Sequence, residues 1–385
     1  MRFEGGKTIG TWTLVSDVDD KLAAPLWVGD DGDHVAYVRN YRVRSIQVTR
    51  RLGKVVDWAK AYEHNNLLPM LGLEEVPGGV AIVSNYEEGQ PLSSLLARAR
   101  LTRRPMPAAV ATALALDMLA GLHAMGGRLT PAWAYGGLRP EAVMITRAGR
   151  ARLMEVGITA TLVKEEPLSL DAGWVAYAAP EQLGTERVTS RSDVFSMASI
   201  LWEMLVGRRL FDGRDRGTLE KALRASTTSR RPDEASKDVP KALSLVVAQA
   251  LEREDDDRYP DVTKFEAAVK AAADDVAEPF EVSKYLETLQ VVTLDKRRRV
   301  IQGATGRTAP TSMPPPPRKP GASMTPGAQR PITEPPKMAL SSVPPPVKPA
   351  EPKPQLVPQP REPYKPKPVV SVPPRPVSMP PRPGG

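Results

Sequence analysis

The chain has 385 residues, Lys+Arg 53 against Asp+Glu 45, and no cysteine, so disulfides and thiolate metal sites are excluded. The only histidines, His34, His64 and His123, are too scattered for a zinc cluster. From Gly303 onward there are 12 Lys+Arg and 3 Asp+Glu, a net +9, which leaves the first 302 residues close to neutral and gives nucleic-acid binding by the folded part no support from charge.

In chain order, Thr11 to Val15 is rich in β-branched and aromatic residues and reads as a strand. Leu26 to Val28, a Gly29-Asp30-Asp31-Gly32 turn and His34 to Val38 read as a hairpin. A helix over Arg50 to Glu63 and a strand over Val80 to Val83 follow. Pro107 to Met125 is helical, with Val110, Leu114, Met118, Leu122 and Met125 on one apolar face. Asp117 interrupts its apolar run, so a membrane span is not expected, and with no N-terminal signal the expected location is cytoplasmic. Asp193 to Val206 is apolar nearly all round, which belongs inside a domain, and Gly207 supplies the stop. Further helices are expected over Lys241 to Arg253, Val262 to Ala273 and Pro279 to Gln290. The stretch from Gly303 holds 27 of the 41 prolines and almost no aromatic residue, so it is expected to be disordered, with polyproline II character.

Gly173 to Phe211, GWVAYAAPEQLGTERVTSRSDVFSMASILWEMLVGRRLF, carries the most specific pattern. Ala-Pro-Glu, a short loop, Ser-Asp-Val and an apolar helix ending in Gly-Arg-Arg resemble the C-lobe of bacterial Ser/Thr protein kinases. The resemblance runs from about residue 10 to 275. It implies an α+β, two-lobed protein-kinase-like fold, with a small β-rich N-lobe over 10–88 and a helical C-lobe over 89–275. A helical, basic appendage over 276–302 and the Pro-rich tail over 303–385 complete the expected organisation.

The same resemblance locates positions where kinase chemistry would sit. In the first N-lobe turn, the glycine positions fall on Asp19, Lys21 and Ala24. The phosphate-binding Lys of Val-Ala-x-Lys falls on Val38, with Arg39 on the opposite face, and its Glu partner on Val55. Ala36, Ser84, Asn85, Glu87 and Met144 form the candidate adenine pocket. The His-Arg-Asp-Leu-Lys-Pro-Glu-Asn motif appears as Tyr135-Gly136-Gly137-Leu138-Arg139-Pro140-Glu141-Ala142. Gly137 thus replaces the base and Ala142 a magnesium ligand, while Glu155 takes the Asp of Asp-Phe-Gly. Trp174 replaces a Thr that seats the substrate, and its ring is expected to obstruct the peptide site. Structural roles are kept: Glu181 should pair with Arg258, and Asp193 should hold backbone donors of the Tyr135 loop.

These replacements lead to the expectation of a pseudokinase, a scaffold or regulator in bacterial signalling, with no catalytic residue, cofactor or metal. The alternative is an atypical Ser/Thr kinase with residual ATP binding or phosphotransfer. Expected partners are proteins: an active Ser/Thr kinase through the folded domain, and a Pro-binding module through segments such as Pro314-Pro315-Pro316-Pro317-Arg318-Lys319. Lys296-Arg297-Arg298-Arg299 is a candidate basic docking site for an anionic partner, set against plain packing of the appendage on the C-lobe.

Overall fold

The computed structural model describes residues 4–19, 24–126, 134–165, 172–184, 188–213, 215–225, 231–289 and 292–306. The chain divides into units Met1–Lys337 and Met338–Gly385, and the second lies wholly outside the described residues. The expected disorder and docking segments of the Pro-rich tail fall outside them too, as does the first turn over 20–23.

The N-lobe is an antiparallel sheet. Its strands are β1 (Thr8–Ile9), β2 (Trp12–Asp19), β3 (Leu26–Asp30) and β4 (Val35–Arg42), then, after helix α1 (Ile46–Lys60), β5 (Met70–Val76) and β6 (Gly79–Asn85). They lie in the order β1-β2-β3-β4-β6-β5. Ile9, Trp12, Leu14, Ala36, Val38, Ala81 and Val83 bury one face of the sheet. Ser45 caps α1 by accepting from the Val48 amide, and the helix buries Leu52, Val56 and Ala59 in the main core.

The C-lobe opens on a second sheet, β7 (Gly89–Pro91), β8 (Val143–Thr146) and β9 (Ala151–Leu153). Its helices include α2 (Leu92–Thr102), α3 (Ala108–Gly126), α4 (Ile158–Glu165), α5 (Ala172–Val175) and α6 (Ser190–Val206). They continue as α7 (Arg216–Ala225), α8 (Pro232–Ala235), α9 (Lys241–Ala250) and α10 (Val262–Ala272). In α6, Thr189 and Ser192 form a reciprocal cap, and Gly207 turns left-handed at φ +75°. The interior of α6 is buried throughout, Trp202 included. Helix α3 is long and apolar enough to cross a membrane. Here it packs in the core through Ala111, Leu114, Ala115 and Met118, and Asp117 accepts the Ala151 amide at 2.9 Å.

Two helices complete the described chain, α11 (Pro279–Thr288) and α12 (Val292–Thr305). Helix α11 buries Val282 and Leu286 in the C-lobe core, and α12 lies against β2. Two expected boundaries move. The sheet begins at Thr8, ahead of residue 10, because β1 pairs Thr8 with Thr13. The tail cannot begin at 303, because α12 continues through Thr305.

Candidate functional site

The cleft between the two sheets is where the family would hold its nucleotide, and strand β4 determines what faces it. Ala36 and Val38 belong to the outer cluster with Trp12, Ala81 and Val83. Strand side chains alternate, so Tyr37, Arg39 and Tyr41 take the opposite, cleft-side face. This corrects the sequence reading by one residue: Val38 is not the Lys position and Ala36 does not line an adenine pocket. Arg39 occupies the Lys position and Tyr37 the small-residue position two before it.

Tyr37 fills the candidate adenine site. It is fully buried in a cluster with Leu26, Val28, Tyr86, Met144 and Met154. Its hydroxyl donates to the Glu87 carbonyl at 2.6 Å and lies 3.7 Å from Met144 Sδ. That carbonyl belongs to the hinge backbone the family uses for adenine. Ser84, buried directly across the ladder from Tyr37, is small enough to leave room for the ring. Asn85 is exposed, and its amide donates to the Pro69 carbonyl. Glu87 pairs with Arg152.

Deeper in the cleft, Arg39 Nε stands 2.6 Å from Glu155 Oε1, and both side chains are 1% exposed. Arg39 also donates to the Glu141 carbonyl at 2.7 Å. Tyr41 donates to Glu155, and Arg139 donates to Tyr41 at 2.8 Å and to Thr159 Oγ1 at 2.7 Å. Burial and the neighbouring Glu155 carboxylate hold the Tyr41 hydroxyl well above its ordinary range. Arg139 is held above its ordinary value by Tyr41 and Glu155, against the opposing effect of burial. Glu155 adopts φ +59°, an unfavourable conformation for a residue with a side chain, which its buried partners hold in place.

The remaining kinase positions are also accounted for. Gly137 has no room for a side chain: an added Cβ would lie 2.0 Å from Thr159 Cγ2. Ala142 is buried, and its backbone accepts from Met154 and donates to Arg139. Val55 is half-buried at the flank of α1, and that helix contains no glutamate at all; its one acid, Asp57, pairs with Lys60. The Lys–Glu pair of the family is thus replaced by Arg39–Glu155, which joins the two lobes. Trp174 is 1% exposed and packs in the core, so its ring does not lie across a peptide site.

Two structural clasps hold the C-lobe loops. Glu181 makes two parallel contacts with Arg258, at 2.8 and 3.0 Å, and accepts from Ser192 at 2.7 Å. Burial would raise the Glu181 carboxyl, but Arg258 and Ser192 hold it below its ordinary value. Asp193 accepts the Tyr135 amide at 2.6 Å and the Gly136 amide at 2.8 Å. Its burial outweighs these donors and raises its pKa to about 7.

A family profile described as Protein kinase domain matches residues 35–269. The chain belongs to the protein kinase domain family. Serine/threonine-protein kinase PknH of Mycobacterium bovis is 28% identical over 253 residues, which are 65% of this chain and 41% of that protein. PknL of Mycobacterium tuberculosis is 26% identical over 284 residues, 70% of this chain and 64% of that protein. The chain therefore spans about two fifths of the length of PknH. The solved kinase domain of M. tuberculosis PknI superposes with a TM-score of 0.54 at 17% identity, covering 70% of this chain and all of that one. That likeness establishes the two-lobed fold.

Kinase chemistry needs ATP and magnesium, and the residues here do not fit them. Tyr37 takes the hinge carbonyl, Glu155 is committed to Arg39, and position 137 has no space for a carboxylate. Sequence reasoning missed Tyr37, Tyr41 and Thr159 and turned Arg39 away from the cleft. The missed signal was the alternation Tyr37-x-Arg39-x-Tyr41, which places one polar-tipped face opposite the smaller Ala36 and Val38.

Proposed function

We propose that this kinase-family chain is a pseudokinase, a scaffold or regulator in bacterial signalling that transfers no phosphate. The observation that carries the reading is Tyr37, whose ring fills the candidate adenine pocket and whose hydroxyl is bonded to the hinge backbone. The missing side chain at Gly137 supports it, because no carboxylate is left to position an acceptor hydroxyl. In this reading the folded lobes engage a protein partner, such as an active Ser/Thr kinase, and the Pro-rich tail engages a Pro-binding module.

One observation favours an atypical Ser/Thr kinase instead. Arg39 restores a cation at the Lys position, within ion-pair distance of the carboxylate at the metal position. Incubation with radiolabelled ATP, magnesium or manganese and a mixture of acceptor proteins separates the two. No transfer is expected. Transfer that survives purification from host kinases and vanishes in Glu155→Gln would establish the kinase reading.

A further inference from the structure

Helix α12 presents Leu294, Arg297, Arg298 and Ile301 along one face, at the i, i+3, i+4, i+7 spacing of a helix laid into a groove. Leu294 is 8%, Arg297 6% and Ile301 0% exposed, whereas Asp295, Lys296, Arg299 and Gln302 face solvent. The receiving surface is built from both lobes. Ile301 enters the apolar cluster of Leu26, Val28, Tyr37 and Met144, against which Val15 and Val18 of β2 pack. Arg297 donates to the Gly89 carbonyl at 2.9 Å, just beyond the hinge. Arg298 pairs with Glu88, a carboxylate only 2% exposed, and Asp295 pairs with Arg147 at 2.9 Å.

The basic run that the sequence marks at Lys296 to Arg299 is therefore split. Arg297 and Arg298 are turned into the domain, and Lys296 and Arg299 are turned out. A buried carboxylate at the hinge, an open backbone carbonyl and an apolar hollow make a receptor for a basic amphipathic helix. We infer that the hinge and β2 form a helix-recognition groove, filled in cis by α12, whose ligand is a helix with the pattern Leu-x-x-Arg-Arg-x-x-Ile. The Pro-rich segment follows directly after α12 in sequence. A protein gripping that segment would pull on the helix that closes the groove, and a partner helix with the same pattern would compete for it.

The test uses the full chain and a fluorescent peptide of residues 290–306. In wild type the groove is already occupied by a tethered ligand, whose effective concentration is on the order of millimolar. In Arg298→Glu/Ile301→Asp the resident helix carries a repelled charge and a buried acid, while the groove residues are untouched. The peptide should bind this variant at least about tenfold more tightly than wild type, and a peptide carrying the same two changes should bind neither. Equal binding to wild type and variant, or none to a variant that still melts cooperatively, overturns the inference. Ile301→Ala gives a second, milder measurement. It should speed amide hydrogen exchange over Val15 to Val18 and Tyr86 to Gly89 and leave α6 unchanged. Unchanged exchange at those amides also overturns it.

Discussion

At the scale of single residues, two side-chain positions decide what the cleft can hold. Tyr37 is fully buried, so Tyr37→Ala should cost about 3–5 kcal/mol, as large-to-small aromatic core changes do. The change also frees the Glu87 carbonyl and leaves a ring-sized hollow beneath it. Adenosine should therefore raise the melting temperature of Tyr37→Ala and leave wild type unmoved. A thermal-shift titration reads this, and a shift in wild type as large as in the variant would show that Tyr37 does not fill the adenine site. Gly137→Asp is the second case. Restoring the family's carboxylate pushes a Cβ to 2.0 Å from Thr159 Cγ2, so the variant should melt lower and still transfer no label. Adding Thr159→Gly should remove the clash but also the Arg139 acceptor, so the double variant should stay less stable than wild type and still transfer no label; recovered phosphotransfer would mean that only the carboxylate was missing. Much of the site was legible in the sequence because Leu138, Pro140 and Glu141 fix the register around Gly137. Strand β4 was not, because Val35 to Val38 is apolar enough to be read in either phase. A slip of one residue in a strand exchanges every side chain between its faces.

At the scale of elements, the C-lobe depends on contacts between loops and helix starts that lie far apart in sequence. Glu181 comes from a single 3-10 turn, Arg258 from the loop after α9, and Ser192 and Asp193 from the first turn of α6. The Arg258 side chain is fully covered, its guanidinium also donates to the Glu252 and Arg253 carbonyls, and it lies 4.9 Å from the Phe195 ring centroid. Removing one partner of such a pair leaves the other buried and uncompensated. Glu181→Ala or Arg258→Ala should each lower stability by about 3–5 kcal/mol. Chemical denaturation measures it, and two unchanged midpoints would mean the clasp carries no stability. This pair was legible because Ala-Pro-Glu and the Arg of Glu254 to Tyr259 both sit in recognisable family motifs. Asp193 adds a pH dependence of definite sign. Its pKa rises from 3.8 unfolded to about 7 folded, so the folded state binds the extra proton between those values. The stability it contributes is fully present below about pH 4 and is lost as pH rises through 7. Glu181, held low, acts oppositely and loses its contribution only under acid. The excess melting temperature of wild type over Asp193→Asn, which does not titrate, should be larger at pH 5 than at pH 8. The reverse order would place the Asp193 pKa below its ordinary value.

At the scale of the whole molecule, side chains tie the two lobes together through the cleft. The N-lobe sheet supplies Arg39 and Tyr41, and the C-lobe supplies Glu155, Arg139 and the Glu141 carbonyl. The two-lobed shape was legible in the sequence through the resemblance of Gly173 to Phe211 to the kinase C-lobe, which implies an N-lobe in the strand-rich part before it. The tie was not, because it joins residues about a hundred positions apart and depends on the β4 register. A buried cation and a buried anion are costly to strand, so each holds the other, and through it the lobes, in one relative placement. Arg39→Ala should therefore lower stability by about 3–5 kcal/mol and Glu155→Ala by a similar amount. The double variant should lose less than the sum, because the second change removes a carboxylate that has already lost its nearer cation and keeps only Arg139, at 3.7 Å, and the Tyr41 hydroxyl. The change should also be directional within the molecule. In wild type, amides of β4 and α6 should exchange through the same global opening. In Arg39→Ala, β4 should exchange faster than α6, because the N-lobe sheet loses its charged anchor while the α6 core keeps all its packing. Additive losses in the double variant, or β4 and α6 protection falling equally in Arg39→Ala, would show that Arg39 and Glu155 are buried neighbours that do not couple the lobes.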